Sequence, residues 1–174
     1  MNRYTTIESP IGPLLVARDE VGIAALLLPH GRRPARPAAD WIPADAAFDD
    51  VRDELAEYFA GTRTEFELPL QLVGSAFQRR VWTALRQIPF GRTASYGAIA
   101  ASVGAPGAAR AVGVANAQNP IAIIVPCHRV IGANGSLTGY GGGLPTKQWL
   151  LAHEAGEATL PLDLSLALDT ALPH

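Results

Sequence analysis

Three side chains in the second half of the chain could together perform nucleophilic chemistry. Cys127 is the only cysteine, His128 follows it directly, and Glu154 shares the apolar face of a predicted helix with Leu150 and Leu151. A neighbouring histidine can accept a thiol's proton, and a carboxylate on the buried side of a helix is costly unless a group such as histidine pairs with it. The pattern therefore indicates an activated thiol. Two other interpretations stay open, because free cysteines are usually inert core residues and Glu154 could be solvated at a frayed helix end.

The elements around these residues must bring them together. The aliphatic run at residues 121–125 is too short for a helix and predicts a buried strand that delivers Cys127 at its end. Adjacent residues of an extended chain point apart, so we expect the Pro-Cys-His segment to turn before His128 can serve Cys127. Glu154 lies near the end of a last helix predicted over residues 146–155.

The first 72 residues predict a small antiparallel sheet with one helix. Apolar runs that alternate with turn signals are typical of strands, and they occur at residues 4–7, 14–17 and 23–28. Residues 29–47 are rich in proline, glycine and arginine and predict a surface loop. The helix that follows places Val51, Leu55 and Phe59 on one face.

Residues 73–158 predict a mostly helical domain, and residues 159–174 an acidic tail. Ser75 is a good N-cap for a first helix, Ser95 is one for a second, and a third helix spans about 107–117. A short Gly-Ala-Pro turn joins the second and third helices, which makes them a helix-turn-helix candidate. The predicted fold class is therefore α+β.

The third helix has one exposed cation among very small side chains. On a helical wheel its predicted core face is formed by Ala108, Ala111, Val112 and Ala115. The opposite face carries Arg110, Gly113, Val114 and Ala117. Such a face reads few base edges, but it could approach a groove floor closely and push one guanidinium into the base stack, as a base-flipping protein requires. A helix packed on both faces is the alternative.

Charge is distributed unevenly along the chain. Residues 68–153 contain seven Lys and Arg residues and no Asp or Glu, whereas the whole chain has a net charge of −2. Acidic side chains would be repelled by phosphates, so their absence is compatible with a nucleic-acid surface. A glycine- and alanine-rich core with few charges would look the same.

Several classes of protein are disfavoured by composition. No apolar run approaches the roughly 20 residues of a membrane span, and the N-terminus does not resemble a signal peptide. A single cysteine allows no intramolecular disulfide, which fits a reducing cytoplasm. The four histidines are scattered, so we expect no metal site and no cofactor.

A set of motifs in the second half is similar to those of the O6-alkylguanine-DNA alkyltransferase (methylated-DNA–protein-cysteine methyltransferase) family. The resemblance runs from Phe77 to Glu154 and is loose over the first 70 residues. The motifs are Phe77-Gln78 with Val81-Trp82, Ile88-Pro89 with Gly91, Thr93 and Ser95-Tyr96, Ala108 to Gly113, Asn119-Pro120, Pro126 to Val130, and Gly139-Tyr140 with Gly142-Gly143.

The resemblance implies both a fold and a function. The fold would be a ribonuclease H-like N-terminal domain followed by a winged helix-turn-helix domain that carries the active site. The protein would be a methylated-DNA–[protein]-cysteine S-methyltransferase. It would transfer the alkyl group of O6-alkylguanine, and of O4-alkylthymine, irreversibly from a flipped-out base to the Cys127 thiolate. Its partner would be double-stranded DNA bound through the minor groove by a cytoplasmic monomer.

The resemblance also implies roles for individual residues. His128 would take the thiol proton through a water and Glu154 would orient it, while Asn119 would tie the recognition helix to the active-site strand. Tyr96 would help rotate the nucleotide and donate to the base, and Arg110 would fill the gap left by the flipped guanine. The remaining DNA-contacting positions would be Ser95, Ala109, Gly113 and Ala117. The base pocket would be formed by Val125, Pro126, Val130, Tyr140 and Gly141.

Two departures and two alternatives accompany this interpretation. Gly141 offers only a backbone N–H where some relatives carry a larger side chain, so the pocket could be roomier, and the zinc ligands of some N-terminal domains are absent. A helix-turn-helix regulator without chemistry would need base-reading side chains that the third helix lacks. A cysteine hydrolase built on Cys127 and His128 would show sustained turnover. The loop from Arg32 to Arg36 could touch DNA or be solvated.

Overall fold

The computed structural model describes residues 1–31, 35–137, 139–157 and 161–162, and their fold is α+β. The strands are β1 (Arg3–Ile7), β2 (Leu14–Arg18), β3 (Ile23–Leu27), β4 (Ile42–Pro43), β5 (Ala94–Ser95) and β6 (Val130–Ile131). The α-helices are α1 (Asp49–Phe59), α2 (Ala76–Leu85), α3 (Tyr96–Ser102), α4 (Ala109–Ala117) and α5 (Leu144–Glu154). Single 3₁₀ turns cover Asp45–Phe48 and Cys127–Arg129.

The N-terminal sheet has the strand order β3-β2-β1-β4. Its first three strands are antiparallel, as the alternating pattern predicts. β4 pairs with β1 in parallel and lies inside the stretch predicted as a loop, so that prediction is wrong at its end. A two-residue strand is too short to show an alternating pattern, and it forms here because the Ile42 N–H donates to Asn2 O at 2.9 Å.

α1 packs a regular apolar stripe against this sheet. Its fully buried residues are Val51, Leu55 and Tyr58, whereas Phe59 is half-buried. The predicted stripe ended on Phe59, so the sequence prediction is off by one residue at the last turn. From this buried position, Tyr58 reaches Glu154 of α5.

The helical part begins with a capping box. The Ser75 hydroxyl accepts from the Gln78 N–H, and the Gln78 side chain accepts from the Ser75 N–H. α3 and α4 form the predicted helix-turn-helix, with Gly104 at a left-handed φ of 76° in the turn between them. The Trp82 indole N–H donates to Ala115 O at 2.9 Å and locks α2 onto α4.

The predicted strand at residues 121–125 is a buried turn instead. Only Ile121 forms a bridge, with Leu26 of β3, and the chain then folds back so that the Val125 N–H donates to Ile121 O at 3.0 Å. Ile123 adopts a left-handed φ of 69° within the turn. The aliphatic run in the sequence therefore indicates that these residues are buried, and it does not indicate that their backbone is extended.

One continuous hydrophobic core joins the sheet, α1 and the helices. β5 and β6 form a small parallel sheet beside the active-site segment. The predicted tail lies outside the described residues except at Pro161 and Leu162, where the Leu162 N–H donates to Pro10 O. Within the described part of the chain, no helix has the length and apolar character needed to cross a membrane.

Candidate active site

Cys127 begins the single 3₁₀ turn of Cys127–Arg129 that follows the buried turn. Its N–H donates to Val125 O at 2.8 Å, so the chain curls at this point as the sequence predicts. The thiol is almost completely buried, with 6% of the residue exposed. The curl places His128 and Arg129 inside the protein rather than on opposite sides of an extended strand.

His128 and Glu154 are in direct contact. The His128 Nε2 lies 2.6 Å from Glu154 Oε2, and both residues are buried. The alternative of a solvated Glu154 at a frayed helix end is therefore wrong. An ionised carboxylate only accepts hydrogen bonds, so Nε2 carries the proton and the lone pair of His128 is on Nδ1.

Arg129 forms an ion pair with the same Glu154 carboxylate. Its Nε donates to Glu154 Oε1 at 2.7 Å and its Nη2 to Oε2 at 3.0 Å, while Nη1 donates to Ile88 O at 2.7 Å. Burial alone would raise the pKa of Glu154, but the hydrogen bonds and charges of His128 and Arg129 outweigh burial and hold that pKa well below its usual range. The carboxylate is ionised at neutral pH.

The thiol is protonated when the protein is at rest. Burial raises the pKa of Cys127, and the neighbouring polar side chains of Asn119 and Tyr140 together with the charge of Lys147 offset that rise only in part. Burial also lowers the pKa of His128, against the opposing effect of Glu154. A neutral imidazole beside a protonated thiol is the starting state of general-base catalysis.

Three buried polar side-chain atoms in this part of the structure make no hydrogen bond in the described residues. They are Asn116 Oδ1, His128 Nδ1 and Tyr140 Oη. Unpaired buried polar atoms are costly, and clusters of them in native proteins occur where a ligand or water will bind. The site is thus built to receive polar groups next to the sulfur.

A small cavity of about 80 Å³ opens beside the thiol. Of the predicted pocket residues, Tyr140 and Gly141 line it, whereas Val125, Pro126 and Val130 are buried and do not line it. The rest of its lining includes Asn116 and, unexpectedly, residues Leu26 to Leu28 of the N-terminal part. No local pattern in the sequence links the end of β3 to a cysteine a hundred residues later.

The helix α4 presents the face that carries Arg110 and Val114 to solvent. Arg110 is exposed and Val114 is 55% exposed, so the alternative of a helix packed on both faces is wrong. The helical wheel errs at Ala111, which is exposed, and Asn116, which the wheel placed on neither face, is buried. The C-terminal end of α4 packs against the active-site turn, where Asn116 Nδ2 donates to Cys127 O at 3.3 Å.

Small residues also bring the predicted DNA-contacting side chains together. A Cβ on Gly113 would lie 3.7 Å from the Tyr96 ring, so the ring rests against α4. Ser95 is occupied as the N-cap of α3 and accepts from the Ala98 N–H at 3.0 Å. Ala109 is half-buried and Ala117 is exposed on the same helix.

Asn119 connects α4 to the active-site turn. Its Nδ2 donates to Val125 O at 2.8 Å and its Oδ1 accepts from the Ile121 N–H at 2.9 Å. Both halves of the amide are used, so the end of the recognition helix and the backbone leading to Cys127 move as one unit. On the other side of the active-site turn, the Nζ of the buried Lys147 donates to Val130 O at 2.7 Å.

Known proteins share both halves of this architecture. Residues 2–72 match the ribonuclease-like domain of 6-O-methylguanine DNA methyltransferase, and residues 76–156 match the DNA binding domain of the same protein. This chain belongs to the 6-O-methylguanine DNA methyltransferase family. The methylated-DNA–protein-cysteine methyltransferase of Mycobacterium tuberculosis is 54% identical over 167 residues, which is 95% of this chain and 99% of that protein.

Further members of the methyltransferase family extend the likeness. The corresponding protein of Methanosarcina acetivorans is 48% identical over 87% of this chain and 97% of its own length. The crystal structure of Mycobacterium tuberculosis OGT in complex with DNA superposes with a TM-score of 0.86 at 53% identity, covering 95% of this chain and 99% of that one. In the part of this methyltransferase that the structure describes, no group of three or more potential metal ligands occurs.

One contact of this site was not predicted from the sequence. The Tyr58 hydroxyl donates to Glu154 Oε2 at 2.7 Å, across 96 positions of sequence. Arg129 lies in the motif from Pro126 to Val130, and its guanidinium donates to both oxygens of the Glu154 carboxylate. The predicted stripe of α1 ended on Phe59, so no pattern in the sequence pointed to Tyr58 as a partner of Glu154.

Proposed function

We propose that Cys127 is the acceptor in a direct reversal of DNA alkylation, with the O6-alkyl group of guanine as the electrophile. Alkyl transfer is the reaction of the family, and relatives 54% identical to this chain are named methylated-DNA–protein-cysteine methyltransferases. The observation that carries the assignment is the buried thiol beside a neutral His128 whose Nδ1 has no partner and whose Nε2 is held by Glu154.

The chemistry follows from these proton positions. The Sγ proton passes to His128 Nδ1, directly or through one bridging water, and the thiolate attacks the alkyl carbon. A C–S bond forms, the C–O6 bond breaks, and the electron pair leaves with guanine. Tyr96 donates a proton to the departing base, which avoids an unstable anion. The product is a thioether with no route back, so each chain reacts once.

Docking to duplex DNA uses the bare face of α4. Small residues let the helix approach the minor groove, and Arg110 enters the stack where the lesion has rotated out. Tyr96 lies against this face through Gly113, and Ser95, Ala109 and Ala117 lie near the phosphates and sugars of the bound strand. Binding of DNA is supported by the match of residues 76–156 to the family's DNA binding domain.

The base pocket would be completed by the segment carrying Tyr140 and Gly141. Backbone groups of Val125, Pro126 and Val130 would hold the base edge, and the missing side chain at Gly141 leaves room for alkyl groups beyond methyl. O4-alkylthymine presents a comparable electrophile. We also propose that the protein works as a cytoplasmic monomer, with domains at 1–72 and 73–158 and a tail at 159–174.

Intact-mass analysis tests this function. After mixing with excess duplex containing O6-methylguanine, the chain is expected to gain one methyl group and then stop. Cys127→Ser should gain none, with the same fold by circular dichroism. An unmodified wild-type chain would contradict the proposal, and sustained turnover of an ester or amide would favour a cysteine hydrolase instead.

A further inference from the structure

One side chain of the N-terminal half enters the buried network around Glu154. Tyr58, on α1, is completely buried and its hydroxyl donates to Glu154 Oε2 at 2.7 Å. Its ring is enclosed by other rings on four sides, with centroid distances of 5.1 to 5.9 Å to Phe59, Phe66, Phe90 and His153. The hydroxyl therefore has one orientation available, toward the carboxylate.

The two carboxylate oxygens of Glu154 accept different numbers of hydrogen bonds. Within the described residues, Oε1 accepts only from Arg129 Nε, whereas Oε2 accepts from the Tyr58 hydroxyl, His128 Nε2 and Arg129 Nη2. Three donors around one oxygen leave it no freedom to rotate. The position of Oε2 fixes the His128 ring, because the Nε2–Oε2 contact at 2.6 Å is the ring's only hydrogen bond in the described part of the chain.

Tyr58 acts as a donor throughout the working pH range. Burial raises its pKa well above the ordinary value, and the negative charge of Glu154 raises it further. A phenol that keeps its proton can only donate to an ionised carboxylate. It draws electron density from Oε2, the oxygen that would otherwise stabilise a protonated His128.

We propose that Tyr58 is a positioning residue for alkyl transfer, which fixes Glu154 Oε2 and so keeps His128 neutral, with its proton on Nε2 and its lone pair on Nδ1. The inference rests on the proposed roles of Cys127 and His128. It makes the ribonuclease-like half a contributor to the active site rather than a separate support.

Other charged groups also face this network and remain in place in the test. From the active-site turn come Cys127, His128 and Arg129, from α5 come Lys147 and His153, and Tyr140 faces it from the pocket wall. Tyr58→Phe changes none of them and keeps the buried ring. Removal of one donor from Oε2 strengthens its attraction for a protonated His128, so the pKa of His128 should rise.

The experiment measures single-turnover methyl transfer from O6-methylguanine duplex across pH, from about 5.5 to about 9. For Tyr58→Phe, the acid limb of the profile should move up by about half a pH unit, so the rate falls about threefold more at the acid end than on the plateau. Tyr4→Phe is the matched control, since it removes a phenol hydroxyl from the same half, beside Trp41 and away from Glu154. It should overlay the wild type.

Two outcomes would overturn the role of Tyr58. An equal loss at every pH would show that the residue only packs, and an unchanged profile would show that its hydroxyl does nothing. Both differ from failure of the proposed function, in which the wild-type chain itself would not be methylated. If Tyr58→Phe does not fold, ¹⁵N NMR of the wild-type His128 ring decides, because a proton on Nδ1 instead of Nε2 would contradict the inference.

Discussion

The buried groups around Glu154 and the exposed face of α4 differ in nearly every physical property. Around Glu154, the polar atoms of Tyr58, His128 and Arg129 are enclosed and held by contacts of 2.6 to 3.0 Å. On α4, one cation projects from a surface of alanine, glycine and valine. Chemistry on the thiol needs protons in fixed places, whereas docking on a duplex needs side chains to be absent. Substitutions around Glu154 should therefore lower the stability of the fold. Substitutions on the exposed face of α4 should instead impair DNA repair without lowering stability.

Removal of the Glu154 charge should have the largest effect. Glu154→Gln leaves Arg129 buried without its counter-ion, and breaking such a pair costs about 3–5 kcal/mol of unfolding free energy. Urea unfolding measures the loss. The control is Glu57→Gln, which breaks the surface pair of Glu57 with Arg63 and should leave the unfolding free energy nearly unchanged, because solvent screens exposed pairs. Equal losses in the two variants would contradict the buried ion pair.

Arg110→Ala should separate docking from chemistry. Without a side chain to fill the stack, repair of duplex DNA should slow about 100-fold, since base flipping costs a few kcal/mol. Reaction with a free O6-alkylguanine base should be unchanged, and the unfolding free energy should stay within about 0.5 kcal/mol of wild type because Arg110 is exposed. Equal slowing on duplex and free base would show that Arg110 is structural.

Gly113→Ala should move stability and repair in opposite directions. Alanine favours a helix interior by about 1 kcal/mol over glycine, and the new Cβ would meet the Tyr96 ring at an ordinary 3.7 Å. The same methyl group should hinder close approach to the groove and weaken duplex binding by about 1 kcal/mol, or about fivefold. Thermal melting measures the expected gain in stability, and DNA titration measures the expected loss of duplex binding. A variant that is stabilised and binds DNA as tightly as wild type would show that α4 does not approach the groove floor.

Acid should destabilise the buried region in two steps. Burial lowers the pKa of His128 from 6.5, so the unfolded chain binds its proton first and stability falls as pH drops below about 6.5. The pKa of Glu154 is lowered from 4.5, so a further loss begins below about 4.5. Urea unfolding across pH measures both, and His128→Asn should lack the upper step. A stability that stays flat from about pH 7 to about pH 5 would contradict a neutral buried His128.

The local parts of the site were predictable from sequence and the distant parts were not. The turn at Cys127 follows from adjacency to His128, and the burial of Glu154 follows from its helical spacing to Leu150. Tyr58 and the Leu26–Leu28 wall come from the N-terminal half, and tertiary packing alone decides their position. The strand predicted at 121–125 failed because uniform burial produces the same aliphatic run in a turn as in a strand.

The central claim is that the alkyl carbon moves to sulfur and the C–O6 bond breaks. Duplex DNA carrying O6-trideuteromethylguanine, mixed with one equivalent of protein and quenched, tests it most directly. Peptide mass spectrometry should locate the labelled methyl on Cys127, with an equal amount of restored guanine in the DNA. Labelled methanol in solution, or the label on any other residue, would contradict the account.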